Sequence, residues 1–117
     1  MKRDVLFYLV DILDAIKKIE FFMKDKGLND LIKDDMLQSA VIRKFEIIGE
    51  AVKILPENLK KKYPKIEWKQ IAGTRDILIH FYFGVQTKLL MKTIENDLPN
   101  LKKNIKLMIK DIKTAQK

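Results

Sequence analysis

The sequence predicts an all-α fold, an up-and-down bundle of four main helices plus one short helix carrying residues 68–80. Four long segments repeat apolar residues with the period of a helix, and no convincing run alternates with the period of a strand. The 117 residues are enough for a single domain, residues 1–117, with a real core. A content of 47% apolar and 34% charged residues is typical of a globular chain and argues against intrinsic disorder.

The first helix is predicted from apolar residues that recur at alternating spacings of four and three, which are Val5, Leu9, Ile12, Ile16, Ile19 and Met23. Gly27 follows two lysines, Lys24 and Lys26, and this combination favours the C-terminus of a helix. The pattern therefore places the end of the first helix shortly before Gly27.

The second helix is expected to begin among Asn29, Asp30 and Asp34, which are all competent N-caps, and to run to Leu55, before Pro56. It is apolar on two sides. One stripe consists of Leu37, Val41, Phe45, Ile48, Val52 and Leu55, and the other of Ala40, Ile47, Ala51 and Ile54. A helix with two apolar sides in a small bundle is expected to lie centrally or to pack against a second subunit.

The remaining segments are a connector and three helices. Residues 56–64 form the connector, with one possible helical turn, and the short helix covers Trp68 to His80. Residues 81–85 interrupt the pattern before a helix over about 86–96. Asp97 is the expected N-cap of the last helix, with Pro99 in its first turn, where proline is tolerated. Its apolar residues are Leu98, Leu101, Ile105, Met108 and Ile112.

Composition excludes several classes of protein. No apolar run reaches the roughly 20 residues of a membrane span, and residues 1–4 lead into a charged segment without a signal-peptide core, so a cytoplasmic protein is expected. The absence of cysteine excludes disulfide scaffolds and thiolate chemistry, and one histidine excludes a multi-histidine site within one chain. The net charge of +8 favours polyanions, which leaves RNA and an acidic protein as candidate partners, although a lysine-rich surface is also common for other reasons.

The segment from Gly73 to Tyr82 concentrates the residues suited to catalysis. Asp76 and His80 are four residues apart, so a helix places them on one face, where the carboxylate can orient the imidazole. Arg75 borders the same patch, and its guanidinium suits a phosphate. Such a set fits phosphodiester chemistry, but a lone histidine near a helix end is more often a cap or a surface residue.

A second polar pair, Glu46 and Glu50, lies near Arg43 and could be read as an acidic site. Two carboxylates without a third ligand make a weak metal site, so buried or interfacial salt bridges are the favoured interpretation and no metal is expected. The lysine-rich segments 60–69 and 102–117 are interpreted as solvated faces rather than as readers of nucleic-acid sequence.

The segment also carries a recognisable pattern, which is Arg75, four residues, His80, any residue and Tyr82. With it the sequence resembles the HepT-like toxins of the HEPN superfamily over nearly the whole chain. The supporting blocks are Arg3-Asp4, Ile12-Leu13, Val41-Ile42-Arg43, Glu46 to Ala51, Tyr63-Pro64, Trp68, Ile71-Ala72-Gly73, Tyr82 to Val85 and Asp97-Leu98-Pro99. The Arg-His-Tyr spacing alone would be loose, and these blocks make it specific.

The resemblance implies a homodimeric, metal-independent endoribonuclease toxin of a type VII toxin–antitoxin system, without a cofactor. Arg75 and His80 would be catalytic, and RNA would supply its own 2′-hydroxyl as nucleophile. Relatives are silenced by a minimal nucleotidyltransferase that adds AMP to the motif tyrosine, here Tyr82. Asp76 stands where many relatives have Asn, and Phe81 where many have Gly. The alternative is a non-catalytic subunit that binds nucleotide or docks the nucleotidyltransferase.

Overall fold

The computed structural model describes the backbone of residues 4–80 and 85–115 and the side chains of residues 5–74 and 87–115. Every regular element in this part of the chain is helical, which confirms the all-α class. The α-helices are α1 (Asp4–Phe22), α2 (Leu28–Lys33), α3 (Asp35–Ile54), α4 (Glu57–Lys61), α5 (Trp68–His80), α6 (Val85–Lys92) and α7 (Leu98–Ala115). A π-helical turn, Thr93–Asp97, joins α6 to α7. This set is larger than the predicted four main helices and one short one.

Helix α1 lies between α3 and α7, and α5 packs on the far side of α3. The predicted stripe of α1 forms the centre of the core, where Leu9, Ile12, Ile16 and Ile19 are completely buried. A hydrogen-bonded ion pair of 2.8 Å joins Lys102, near the start of α7, to Glu20, near the end of α1. The two helices therefore run antiparallel, as an up-and-down arrangement requires.

The predicted second helix is wrong in one respect, because the chain forms two helices, α2 and α3, instead of one. Asp34 separates them with an extended backbone (φ −114°, ψ 100°), and its carboxylate accepts a hydrogen bond of 3.1 Å from the amide of Leu37. Asp34 is thus the N-cap of α3, one of the three positions expected for a helix start.

The predicted end of the first helix is wrong, because Gly27 does not directly follow the last turn of α1. The residue with left-handed backbone geometry is Asp25 (φ 60°), a conformation that aspartate tolerates better than most side chains. Gly27 instead precedes α2, where its amide donates a hydrogen bond of 2.8 Å to the carboxylate of Asp30.

The predicted N-cap at Asp97 is also wrong, because this residue lies inside the π-helical turn and the helical path continues into α7. Pro99 explains the wide turn. Proline has no amide hydrogen, and in an α-helix its ring would crowd the carbonyl of Glu95. The amide of Leu98 bonds to the carbonyl of Thr93, five residues earlier, so the turn widens ahead of the proline.

The second apolar stripe of α3 divides between core and surface. Ala51 is buried, Ala40 and Ile47 are half-buried, and Ile54 keeps 54% of its surface exposed. Met36, at the opposite end of this face, is 82% exposed. The stripe is therefore partly inside the bundle and partly available to a partner. Among the described helices, none is both long and apolar enough to cross a bilayer.

Candidate functional site

The side chain of Trp68 holds the N-terminal end of the short helix α5 in place. The indole nitrogen donates hydrogen bonds to the backbone carbonyls of Lys60 (3.1 Å) and Tyr63 (3.2 Å). Both carbonyls belong to the end of α4 and the following connector, so one side chain ties the first residue of α5 to the segment before it. The helix has the bounds predicted from the sequence, Trp68–His80.

Lys60 fixes the same segment to the end of α3. Its ammonium group donates a hydrogen bond of 3.1 Å to the carbonyl of Val52 and lies 3.1 Å from the carboxylate of Glu57. The last four carbonyls of a helix have no partner within it, and a cation satisfies one of them here. The Lys60 side chain is only 11% exposed, so this contact is well shielded.

These contacts determine the direction of α5. It starts beside the C-terminal end of α3 and makes extensive contact with α3. A helix that started there and ran in the same direction as α3 would extend beyond the end of α3 and could not pack against it. Helix α5 therefore runs back towards the middle of α3, and its last two turns carry the backbone of Arg75, Asp76 and His80.

The helical backbone places Asp76 and His80 four residues apart along one side of α5, as predicted. The side chains of residues 75–80 lie outside the described part of the structure, so the hydrogen bond between carboxylate and imidazole stays a prediction. Tyr82 and the expected break after His80 fall within residues 81–84, which also lie outside the described residues.

One carboxylate of the acidic pair on α3, that of Glu46, forms a salt bridge. The guanidinium of Arg43 donates a hydrogen bond of 3.1 Å to the carboxylate of Glu46. Their side chains are 61% and 26% exposed, so the predicted salt bridge exists but lies at the surface. Within the described residues, no three histidine or carboxylate side chains cluster closely enough to hold a metal ion.

A groove of about 590 Å³ lies between the connector and α7. Half of its ten lining residues are lysines, and none is acidic. The lining residues are Lys62, Tyr63, Pro64, Lys65, Asn100, Lys103, Asn104, Lys106, Leu107 and Lys110. We call this feature the lysine groove. Its two walls come mainly from the lysine-rich segments 60–69 and 102–117, which were predicted to be solvated faces.

A hydrogen bond across the molecule fixes one wall of the lysine groove. The hydroxyl of Tyr63 donates to the carboxylate of Asp111 over 2.7 Å, joining the connector to the last turns of α7. Burial raises the pKa of Tyr63 from 10.0 to about 12, and the hydrogen bond to Asp111 and its negative charge add to this effect. The groove that Tyr63 lines was not predicted from the sequence. The available signal was the spacing of Lys103, Lys106 and Lys110 on one side of α7, facing away from its apolar stripe.

Comparison with known proteins identifies the family to which the chain is similar. The family described as "Ribonuclease HepT-like" matches residues 12–108, which include α5. A Methanocaldococcus jannaschii protein named as a candidate RNase is 46% identical over 111 residues, covering 95% of this chain and 92% of the relative. A Thermococcus cleftensis protein named "Probable ribonuclease HepT" is 47% identical over 102 residues, covering 87% of this chain and 93% of the relative. The search of solved structures found no match. The chain belongs to the HepT-like ribonuclease family.

Proposed function

We propose that the protein is a metal-independent endoribonuclease toxin of a type VII toxin–antitoxin system. The observation that supports the proposal is α5, a single helix whose last two turns include Arg75, Asp76 and His80 and which lies within the region matched by the HepT-like family. The +8 charge of the chain supports a polyanionic substrate.

In the proposed reaction, the 2′-hydroxyl of one ribose attacks the adjacent phosphorus, and the bond from phosphorus to the 5′-oxygen of the next nucleotide breaks. The products are a 2′,3′-cyclic phosphate and a 5′-hydroxyl, so no water or metal enters this step. Arg75 binds the phosphate through its planar fork of donors. His80 moves a proton, because its side chain is the one that titrates near neutral pH. Asp76 holds the imidazole in the required tautomer.

We further propose that a homodimer assembles this site. Acid–base cleavage needs one group that accepts a proton and another that donates one, and each chain has a single histidine. Two copies of α5 meeting near a two-fold axis would supply two imidazoles and two guanidinium groups. The exposed apolar side chains of Met36 and Ile54 on α3, the helix against which α5 packs, support an interface on this side. A folded monomer with full nuclease activity would contradict this arrangement.

We propose that Tyr82 is the point of control. A minimal nucleotidyltransferase would transfer AMP from ATP to the tyrosine hydroxyl, releasing pyrophosphate. The added phosphate would then pair with Arg75, and the nucleoside would fill the cleft, so both would oppose the binding of RNA. Co-expression with the partner should raise the intact mass in steps of one AMP, and Tyr82→Phe should abolish the increase. Full neutralisation of Tyr82→Phe would contradict this assignment.

The deciding experiment compares the purified wild-type chain with His80→Ala on RNA in the presence of EDTA. We expect His80→Ala to lower the cleavage rate by about 10²–10⁴ because general acid–base catalysis contributes a factor of that size. Arg75→Lys should also lower the rate, since a point charge does not replace the bidentate fork. Products should end in a cyclic phosphate. Loss of cleavage in EDTA that added divalent ions restore would contradict the metal-free mechanism. Binding without cleavage by the wild type would favour the non-catalytic alternative.

A further inference from the structure

We propose that the lysine groove is a second binding site for single-stranded RNA, separate from the motif on α5. The groove would bind the phosphate backbone and one or more bases of the strand whose cleavage site lies at the motif. The inference rests on the proposed function for the identity of the strand. Its physical basis is independent, because it depends on residues of the connector and α7 alone.

The charge of the groove favours a polyanion. Five lysines and no carboxylate line it. Lys60 and Lys102, which lie near the groove but do not line it, are each paired with a glutamate. By contrast, none of the five groove lysines forms an ion pair with any residue in the described parts of the chain. Their positive charges are therefore not neutralised by a direct ion pair within that part of the protein, and a chain of phosphates could pair with them.

The remaining lining residues distinguish single-stranded RNA from a simple anion. Tyr63 contributes an aromatic ring, which its 2.7 Å hydrogen bond to Asp111 holds in place, and Leu107 contributes an apolar side chain that is 46% exposed. Aromatic and apolar surfaces beside a basic track are the usual means of binding unpaired bases without sequence preference. The side-chain amide of Asn100 donates a hydrogen bond to the carbonyl of Lys65, and that of Asn104 donates to Asn100, so these residues hold the walls of the groove in place. An acidic peptide would use the lysines but would have little use for the ring.

The distance to the motif determines how long an RNA must be to use both sites. The indole of Trp68 at the start of α5 bonds to the carbonyl of Tyr63, so the groove lies at the base of this helix. His80 is twelve residues further along the helix, an axial distance of about 18 Å at 1.5 Å per residue. A strand joining the two sites must therefore be several nucleotides long. A trinucleotide could bind at the motif but is too short to reach the groove at the same time.

The test replaces three groove lysines that share one side of α7, Lys103, Lys106 and Lys110, with glutamine. Binding is measured by fluorescence anisotropy in the His80→Ala background, so that the labelled RNA survives. For an RNA of about a dozen nucleotides, the slope of log affinity against log salt should become shallower by about 2, since each phosphate contact to a single strand contributes about 0.7. The loss of affinity should shrink as the RNA is shortened to a trinucleotide.

The matched control replaces Lys17, Lys24 and Lys33 with glutamine, which makes the same change in net charge at three exposed lysines that do not line the groove. The control should keep the wild-type salt slope. Equal losses of RNA affinity in both triple variants would mean that only the overall positive charge of the protein matters, and this result would overturn the proposal. An unchanged slope in the groove variant, or equal binding of a polyglutamate peptide and RNA by the groove, would also overturn it.

Two further measurements separate folding and catalysis from binding. If the glutamine variant does not fold, Lys106→Gln alone carries the test with an expected slope change of about 0.7. Replacement of the three lysines with arginine should retain the wild-type slope. If the wild type cleaves RNA but the groove variant binds like the wild type, the groove proposal fails and the proposed function stands. If the slope changes as expected but no RNA is cleaved, the proposed function fails and the groove stands.

Discussion

Trp68→Phe should weaken the attachment of the N-terminal end of α5 but keep part of the apolar contact that the Trp68 side chain makes. Phenylalanine keeps an aromatic ring in the half-buried site but has no N–H group. The carbonyls of Lys60 and Tyr63 would therefore lose the donor that lies 3.1 and 3.2 Å away. The lost hydrogen bonding should cost about 1 kcal/mol net. The smaller ring should cost about 1 kcal/mol more in buried area.

Together these losses lower the free energy of unfolding by about 2 kcal/mol. At about 2.1 cal/mol/K per residue, the unfolding entropy of a chain of 117 residues is about 0.25 kcal/mol/K, so Tm should fall by about 8 °C. Circular dichroism melting at fixed protein concentration measures this shift. Hydrogen exchange in the variant should show faster opening of the α5 amides than of the α1 amides, because the two indole hydrogen bonds hold the start of α5 and do not involve α1.

Phe21→Leu is the matched control, because it shortens an aromatic side chain that is 75% exposed on α1. It should change stability by less than about 0.5 kcal/mol. A Tm for Trp68→Phe equal to that of the control would refute the reasoning, since it would mean that the indole hydrogen bonds do not hold the base of α5. Equal exchange rates in α5 of the wild type and the variant would refute it as well.

Three further predictions concern individual side chains. Tyr63 should ionise near pH 12, so its hydrogen bond to Asp111 stabilises the fold fully below the ordinary pKa of 10.0, and this stabilisation is lost as the pH rises through 12. The difference in phenolate absorbance between the wild type and Tyr63→Phe measures this ionisation. Ionisation near pH 10 would contradict the prediction. Asp34→Ala should lower the free energy of unfolding by about 0.5–2 kcal/mol in denaturant titrations, whereas Asp34→Ser should keep most of the wild-type stability. Equal losses of stability in the two variants would argue against a capping role for Asp34. Asp76→Asn should lower kcat by disorienting His80, and unchanged or higher activity would mean that the carboxylate only repels RNA.

Local signals predicted much of the fold and the place of the candidate site. The apolar spacing in α1 correctly identified the centre of the core, and the short helix has the predicted bounds, Trp68–His80. Asp34 was among the expected N-caps because its capping bond reaches only three residues along the chain. The errors are also local. Pro99 fits an ordinary first helical turn as well as it fits the end of a π-helical turn, and periodicity does not distinguish these two geometries.

The sequence by itself determined the helical class and the order of the motif residues along α5, because helical periodicity and side-chain chemistry are encoded within a few neighbouring residues. Only the tertiary structure decided that the lysines of the connector and those of α7 line one groove. The contact that joins these segments, Tyr63 to Asp111, spans 48 positions of the chain. Such a contact depends on how α1, α3 and α7 pack, and packing is a property of the whole core rather than of either lysine-rich segment.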